Sequence, residues 1–358
     1  VEVLRGCARG CRFCQAGITY RPVRERTPDQ VVSAVMGGLK DTGYDEVSLT
    51  SLSTTDHSCC SQILARLNRR LADTGIRVSI PSQRLDSFGV DIALQVAGEK
   101  KGGLTFAPEA GSQRLRDVIN KNVTENDLER ATRAAFEAGW RRVKLYFMMG
   151  LPGERDEDIV AIANLADKTY ELAREVVPKA QRGNVSVSIS CSVFIPKAQT
   201  PFQWCAQTPD EEVKRRQQLL LASVRNRAVR VHYHDADTSL LEAVLSRGGR
   251  DITPLIVGAW KRGARFDAWT EQFDLSRWED AAAELGIDLR AVASTPFDLD
   301  MRLPWEHVSP GVKRGFLERE YRKSLEGETT PDCTRTSCTG CGICPTIHAS
   351  NVLVGERG

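Results

Sequence analysis

The first 230 residues alternate between short apolar segments and amphipathic segments, and this alternation constrains the fold more than any other feature. Six segments have strand-like composition, and each is followed by a segment with helical periodicity. Strands that alternate with helices form a parallel sheet through right-handed crossovers. Six units, rather than eight, predict an open α/β barrel of the partial (βα)6 type. The predicted strands are residues 1–4, 46–52, 76–80, 102–107, 141–150 and 185–195, and the predicted helices are residues 28–41, 57–74, 86–97, 124–138, 155–177 and 209–229.

The alternation stops after about residue 230. Residues 231–330 contain short helical patterns separated by proline-containing turns, and five of the six tryptophans lie after residue 200. We predict three parts: a core domain at residues 1–230, a mostly helical extension packed on the barrel at residues 231–330, and a cysteine-rich tail at residues 331–358.

The composition predicts a soluble, cytoplasmic chain. Of its 358 residues, 41% are hydrophobic, but no run of apolar residues is long enough to span a membrane. The amino terminus lacks the pattern of a signal peptide. A net charge of +2 leaves nucleic-acid binding neither indicated nor excluded. The chain starts at Val1 and enters a strand at once, so we expect it to be a fragment of a longer protein.

Seven of the eleven cysteines form two tight groups, which in a cytosolic chain indicates metal binding rather than disulfides. The first group, Cys7, Cys11 and Cys14, has the spacing C-x3-C-x2-C directly after the first strand. In barrels of this kind, chemistry gathers beyond the carboxyl ends of the strands. Three thiolates can hold a 4Fe–4S cluster and leave one iron without a protein ligand, free to bind a small molecule.

A structural zinc site is the alternative, with His57 or Cys59 as a distant fourth ligand. Zinc sites usually draw their ligands as two pairs, so the trio favours the cluster. The neighbouring side chains of Arg9 and Arg12 are predicted to offset the thiolate charge.

The segment RGCARGCRFCQAG, residues 5–17, resembles the signature of the radical S-adenosylmethionine (SAM) superfamily. The resemblance implies that Cys7, Cys11 and Cys14 bind a 4Fe–4S cluster, that SAM binds the open iron, and that Phe13 lies near the adenine. It also implies reductive cleavage of SAM to methionine and a 5′-deoxyadenosyl radical, which abstracts a hydrogen atom from a substrate. Flavodoxin or ferredoxin is the implied reductant.

Three further segments resemble SAM-binding elements of the same superfamily at successive strand ends. The first replaces the usual Gly-Gly-Glu stretch by Ser-Leu-Ser, the second resembles the ribose element, and the third resembles the adenine element. An ion pair with Arg114 is the alternative role for the acidic residue of the second segment. The SAM contacts implied by these segments are Ser51, Ser53, Glu109, Ser112, Gly150 and Glu154.

The second cysteine group is in the tail. Cys333, Cys338, Cys341 and Cys344 have the spacing C-x4-C-x2-C-x2-C, with a proline after the last cysteine. Four thiolates make a closed site, which can hold an auxiliary 4Fe–4S cluster or a zinc ion. The sequence leaves both the cluster and the zinc ion possible, and the similarity to ferredoxin loops favours the 4Fe–4S cluster.

The tail and the segments at 194–204, 255–269 and 302–308 resemble one subgroup of the superfamily. Its members are uncharacterised bacterial proteins in which a cobalamin-binding-type domain precedes the barrel, often with a small partner protein encoded nearby. The resemblance implies that any role of cobalamin belongs to sequence preceding Val1.

Three functions are compatible with these features. The first is a radical SAM enzyme of unassigned substrate, with group transfer to RNA or a ribosome-related substrate suggested by analogy. The second is a methylthiotransferase-like enzyme whose tail cluster carries sulfur. The third is a non-enzymatic iron-sulfur protein for redox sensing or electron transfer.

Other motifs are predicted to be structural. Free cysteine is commonly buried, so Cys59, Cys60, Cys191 and Cys205 are expected to pack in the core. The basic segment at 214–230 is predicted to be a helix with a charged solvent face, although RNA contact is an alternative. A metal role for residues 232–237, HYHDAD, is not favoured.

Overall fold

The computed structural model describes residues 1–81, 84–96 and 103–355. The described strands are β1 (Leu4–Arg5), β2 (Arg24–Glu25), β3 (Glu46–Ser48), β4 (Arg77–Ser79), β5 (Leu104–Glu109), β6 (Arg142–Met149), β7 (Ser186–Val193) and β8 (Val229–Tyr233). The described α-helices are α1 (Ala16–Thr19), α2 (Pro28–Thr42), α3 (Cys60–Leu71), α4 (Val90–Val96), α5 (Gln113–Val118), α6 (Glu125–Glu137), α7 (Asp156–Val176), α8 (Asp210–Ser223), α9 (Ala236–Arg247), α10 (Thr253–Lys261), α11 (Ser276–Leu285), α12 (Leu289–Ser294), α13 (Arg314–Glu326) and α14 (Ile343–Thr346).

Parallel strands follow one another in chain order. Glu2 forms a parallel bridge with Thr50, β3 pairs in parallel with β4, and β5 to β8 form one parallel sheet. Only β2 runs antiparallel to its neighbour, β1, among the pairings described. Helices connect the parallel strands, so the α/β class and the helical carboxyl-terminal part are confirmed. The connections place the carboxyl ends of the parallel strands at one edge, as required for a shared site.

The main core lies between the sheet and its helices. Alternate residues of the central strands, such as Leu145 and Phe147 on β6 and Ile189 on β7, pack against apolar side chains of α6 and α7. This alternation of buried and less buried residues is what a strand covered on one face requires.

The strand predicted at 141–150 matches β6 closely, and the one at 185–195 matches β7. The one at 1–4 is wrong in extent, because β1 is Leu4–Arg5 and Glu2 makes only an isolated bridge. Three predicted segments extend into residues outside the described part: Gly102 of the strand at 102–107, Ala97 of the helix at 86–97, and residues 356–358 of the tail.

The prediction of a continuous helix over 209–229 is wrong, because α8 ends at Ser223 and the chain then forms β8. The carboxylate of Asp167 on α7 accepts from the amides of Arg225 and Asn226 at 3.2 and 3.3 Å. These bonds turn the chain and return it to the sheet. The predicted boundary at residue 230 therefore falls inside β8.

The carboxyl-terminal helices form cores of their own. Leu240, Val244, Leu255 and Trp278 belong to one apolar cluster of the helices after β8. Helix α13 packs with a second cluster that contains Ile18 of α1 and Trp204. In the part of the chain that the structure describes, no helix is both long and apolar enough to cross a bilayer.

Candidate functional site

The first cysteine loop, residues 6–15, directly follows β1. Gly6 adopts φ +89°, and a Cβ atom there would lie 2.3 Å from the carbonyl oxygen of Pro22, so only glycine fits. Within the loop the amide of Cys14 donates to the carbonyl of Cys11 at 3.1 Å. The amide of Gly17 donates to the Cys14 sulfur at 3.3 Å. The backbone thus folds tightly around the sulfurs.

The three thiols of this loop influence one another. Burial raises the pKa of Cys7 to about 12, and the proximity of Cys11 adds to the increase. Burial and Cys11 also raise the pKa of Cys14. Proximity of this kind suits a set of thiolates that share one cluster.

The fit to a 4Fe–4S cluster rests on the donor set and its environment. Among the described residues, no three His, Cys, Asp or Glu side chains already converge as ligands of one metal ion. Such a cluster nonetheless requires thiol donors of this kind, three in one loop that interact with one another. One of the three sulfurs already accepts a hydrogen bond from a backbone amide. Metal binding would also lower the cost of deprotonating buried thiols.

Arg9 does not face the thiols, contrary to the sequence-based expectation. Its guanidinium pairs with Asp56, with Asp86 at 2.7 Å and with Asp332 at 3.5 Å. The cation is therefore already neutralised by carboxylates. Asp332 directly precedes Cys333, so this pairing joins the first cysteine loop to the tail.

Arg84 and Lys121 are the cations that lie close to the thiols. Burial lowers the pKa of Arg84, but Cys11, two aspartates and Cys7 together raise it further than burial lowers it. Lys121 lowers the pKa of Cys14, though by less than burial raises it. These two residues thus supply the charge compensation that the sequence assigned to Arg9 and Arg12.

Arg12 is fully buried, and its guanidinium forms hydrogen bonds with four residues. Its guanidinium donates to the carboxylate of Glu320 at 3.2 and 3.3 Å. It also donates to the carbonyls of Asp117, Val118 and Glu328 at 3.2, 2.9 and 2.6 Å. Burial lowers the pKa of Arg12, and Glu320 opposes this effect. The loop is therefore anchored on α13 and on the end of α5.

Asn120 extends this anchor to the segment before the tail cysteines. Its side-chain amide donates to the carbonyls of Gly10 and Thr330, both at 3.0 Å. The Thr330 amide donates back to Asn120 Oδ1 at 2.8 Å, and the Thr330 hydroxyl donates to Glu320 at 2.9 Å. The bonds among Asn120, Thr330 and Glu320 are buried and the one to Gly10 is partly buried, so the network fixes the loop against the tail.

Glu109 lies next to the first cysteine loop. It ends β5 with φ +68°, and its carboxylate accepts from Lys121 Nζ at 3.1 Å. Its charge contributes to the raised pKa of Cys14. The alternative of an ion pair with Arg114 is wrong, because Arg114 pairs with Asp158 instead.

Phe13 packs beside the ends of β5 and β6. It borders an apolar cluster that contains Ala110, Leu151 and Met148. Ala110 follows Glu109, and Leu151 follows Gly150, so two of the three predicted SAM segments border the same apolar cluster as this ring.

Ser112 and the two serines after β3 make local structural contacts. The Ser112 hydroxyl accepts from the Leu115 amide at 3.1 Å, which caps α5, and donates to Asp158. The Ser51 hydroxyl accepts from the Ser53 amide at 3.1 Å and bonds to Thr54. Ser53 is buried. Their assignment to SAM stays a prediction.

Glu154 closes the turn after β6. One carboxylate oxygen accepts from the Gly150 amide at 2.7 Å and from Arg216 of α8 at 2.6 Å. The other oxygen is buried without a hydrogen-bond partner in the described part of the chain. Burial raises the pKa of Glu154 to about 7, although Gly150 and Arg216 act in the opposite direction.

This pKa predicts a pH dependence of stability. Because the folded value of about 7 exceeds the ordinary 4.5, folded Glu154 keeps a proton between these values that the unfolded chain has released. Its contribution to stability is therefore largest below pH 4.5 and is lost as the pH rises through about 7. Relative to wild type, Glu154→Gln should gain about 3 kcal/mol over this range. Urea unfolding at stepped pH measures it, and parallel stability curves would contradict it.

The tail cysteines also lie close to one another. Burial is the largest cause of the raised pKa of Cys344, and the next largest causes are Cys341 and Cys338. Burial also raises the pKa of Cys333, and Cys341 adds to this increase. The amide of Gly340 donates to the Cys338 sulfur at 3.4 Å. Arg21 lowers the pKa of Cys333 and Cys344, and its Nε donates to the Gly17 carbonyl at 2.9 Å. The described geometry again holds no converged metal site.

The remaining sequence candidates have structural roles. His57 is buried and uses both ring nitrogens, with Nε2 at 2.9 Å from the Arg26 carbonyl and Nδ1 accepting from the Cys59 amide at 3.0 Å. It is therefore not placed as a fourth zinc ligand. Cys60 and Cys191 are buried as expected, whereas Cys59 and Cys205 are partly exposed.

Comparison with known proteins finds one family and several proteins that are similar to parts of this chain. Residues 1–166 match the family described as the radical SAM superfamily. An uncharacterized protein of Methanocaldococcus jannaschii is 30% identical over 283 residues, which cover 76% of this chain and 59% of that protein. The ribosomal protein uS12 methylthiotransferase RimO of Treponema denticola is 23% identical over 50% of this chain and 42% of its own.

Among solved structures, the radical S-adenosylmethionine methyltransferase TsrM of Kitasatospora setae is similar with a TM-score of 0.47 and 15% identity. The match covers 82% of this chain and 60% of TsrM. This chain thus spans less than two thirds of the length of each of these relatives.

Proposed function

Because residues 1–166 match the radical SAM superfamily, we propose that this chain is a member of it, binds a 4Fe–4S cluster through Cys7, Cys11 and Cys14 and cleaves SAM reductively. The observation that carries the proposal is the first cysteine loop, whose three interacting thiols follow β1 at the shared edge of the strands. When bound, the reduced cluster supplies one electron that breaks the C5′–S bond of SAM, which gives methionine and a 5′-deoxyadenosyl radical.

The protein residues have four roles in this proposal. The thiolates leave one iron without a protein ligand, where the amino and carboxylate groups of SAM would bind. Phe13 packs against the apolar cluster that contains Ala110 and Leu151 and would contact the adenine. Glu109, held by Lys121 beside Cys14, would accept from a SAM hydroxyl. Arg84 neutralises thiolate charge from the side of Cys7 and Cys11.

The direct test is anaerobic reconstitution of the chain with iron and sulfide, followed by incubation with SAM and dithionite. We expect 5′-deoxyadenosine and methionine in equal amounts, formed only with dithionite. A reconstituted protein that forms no 5′-deoxyadenosine would exclude both enzymatic hypotheses and leave the redox or electron-transfer function.

The proposed reaction class is group transfer, with RNA or a ribosome-related molecule as substrate. The relative from Treponema denticola is named as a methylthiotransferase of a ribosomal protein, which supports the class. Methyl-labelled SAM separates the alternatives, because transfer moves the label into a product while hydrogen abstraction alone leaves it in methionine. The subgroup resemblance extends the proposal to cobalamin, to which no described residue is assigned.

The tail is proposed to bind an auxiliary 4Fe–4S cluster through Cys333, Cys338, Cys341 and Cys344. The mutual influence of these thiols and their shared neighbour Arg21 support a common site. Metal analysis after reconstitution should give about eight irons per chain. About four irons with one zinc would establish the zinc alternative.

A further inference from the structure

One face of the sheet carries polar and cationic side chains. Val143 and Leu145 on β6, Ile189 on β7 and Val229 on β8 pack into the main core with the helices. Because successive strand residues point to opposite sides, the residues between them point away from the helices. Those in the middle of this second face are Lys144, Tyr146, Ser188, Ser190, Arg230 and His232.

The strand register places these side chains in two rows. Lys144 pairs with Ser188, and Ser188 pairs with Arg230. In the next row, Tyr146 pairs with Ser190, and Ser190 pairs with His232. Neighbouring strands lie about 4.8 Å apart, so Lys144 and Arg230 flank the Ser188 hydroxyl at a separation of roughly 10 Å between Cα atoms.

The cations of the first row are not balanced by acids. On this face, β6, β7 and β8 carry no aspartate or glutamate. In the part of the chain that the structure describes, neither Lys144 nor Arg230 lies within 4.0 Å of a carboxylate. Lys144 Nζ rests 5.0 Å from the centre of the Tyr146 ring, which leaves its N–H groups free to donate.

The second row contains a hydroxyl that is available for hydrogen bonding. Ser190 is only 4% exposed as a residue, and its hydroxyl has no hydrogen-bond partner among the described residues. Its oxygen is not one of the buried atoms without a partner, so it keeps access to this face. A ligand on this face would supply the partner.

The same face leads to the proposed SAM site. Met148 lies on it and borders the apolar cluster that Phe13 contacts. Met148 lies four positions after Lys144 along β6, a distance of about 13 Å. A ligand of nucleotide size would span from the cationic row to the neighbourhood of Phe13.

We infer that this face binds the substrate through a phosphate group, which Lys144, Ser188 and Arg230 hold by donating to its oxygens. A phosphate monoester carries up to about two negative charges and so matches the two cations, whereas a carboxylate carries one. The opposite end of the substrate would then lie near Met148. This inference rests on the proposed function, since it names the substrate class of the same site.

Calorimetric titration of the reconstituted protein with sodium pyrophosphate at low salt tests the inference. We expect one site, and each of Lys144→Gln and Arg230→Gln should weaken binding at least about fivefold. Lys40→Gln is the matched control, because Lys40 is exposed near the end of α2, and it should bind as wild type does. SAM cleavage without substrate is measured on the same samples.

The outcomes separate this inference from the proposed function. Absence of pyrophosphate binding, or equal binding by Lys144→Gln and Lys40→Gln, would overturn the phosphate site even where SAM cleavage is intact. Equal affinity for succinate would overturn the assignment to phosphate. If the wild-type protein binds pyrophosphate but does not cleave SAM, the result would contradict the proposed function alone.

Discussion

Cys11→Ala is expected to abolish SAM cleavage and to remove the iron of the first cysteine loop. Cys11 is the thiol that influences both of its neighbours, since it contributes to the raised pKa of Cys7 and of Cys14. Two remaining thiolates cannot hold a cluster that needs at least three protein ligands. Cys7→Ala and Cys14→Ala should behave in the same way. The measurements are iron content and 5′-deoxyadenosine formation after anaerobic reconstitution.

Cys59→Ala is the control for this experiment. Cys59 precedes α3, and only its amide contacts His57, so its thiol is outside the proposed ligand set. This variant should retain both iron and activity. Equal loss in Cys59→Ala and Cys11→Ala would instead support the metal site that uses Cys59 as a fourth ligand.

Cys341→Ala gives the contrasting result for the tail. We expect it to leave some SAM cleavage that is uncoupled from product formation, because the first cysteine loop keeps its thiols. Complete loss would mean that the tail supports the first cluster. The Arg9–Asp332 pair and the Asn120–Thr330 bonds are the contacts through which such support would act.

Short-range patterns predicted the central sheet well. The strands β6 and β7 are long and apolar on alternate residues, and their predicted ends agree with the structure to within two residues. Residues 229–233, VRVHY, carry the same alternation, but the helix predicted at 209–229 includes the first of them and the predicted helical extension at 231–330 includes the last three. The carboxylate of Asp167, far away in sequence, ends that helix, so local periodicity could not locate the break.

The surroundings of the cysteines were the least predictable part. The spacing identified the thiols, yet it assigned charge compensation to Arg9 and Arg12 because they are adjacent in sequence. Arg9 pairs most closely with Asp56 and Asp86, 47 and 77 residues away, and Arg12 pairs with Glu320, 308 residues away, so no local pattern marks these partners. Arg84 was missed for the same reason. Charge pairing across a fold depends on which segments meet, and a single sequence does not contain this information.

Glu320→Ala is expected to lower the free energy of unfolding by about 3 kcal/mol, because it leaves the fully buried Arg12 without its carboxylate. The loss also removes the acceptor of the Thr330 hydroxyl. Urea unfolding of the chain measures the change. Glu318→Ala on the same helix is the matched control, since its partner Arg314 is partly exposed, and it should cost less than about 1 kcal/mol.

Glu320→Ala also separates a stabilising role of α13 from a role of α13 in shaping the first cysteine loop. Arg12 lies between Cys11 and Cys14, and three carbonyls hold its guanidinium when Glu320 is removed. If the ion pair positions the loop, Glu320→Ala should bind less iron than Glu318→Ala at a temperature where both remain folded. Equal iron content in the two variants would limit Glu320 to stability. Equal stability of the two variants would show that the carbonyls alone compensate the buried charge of Arg12.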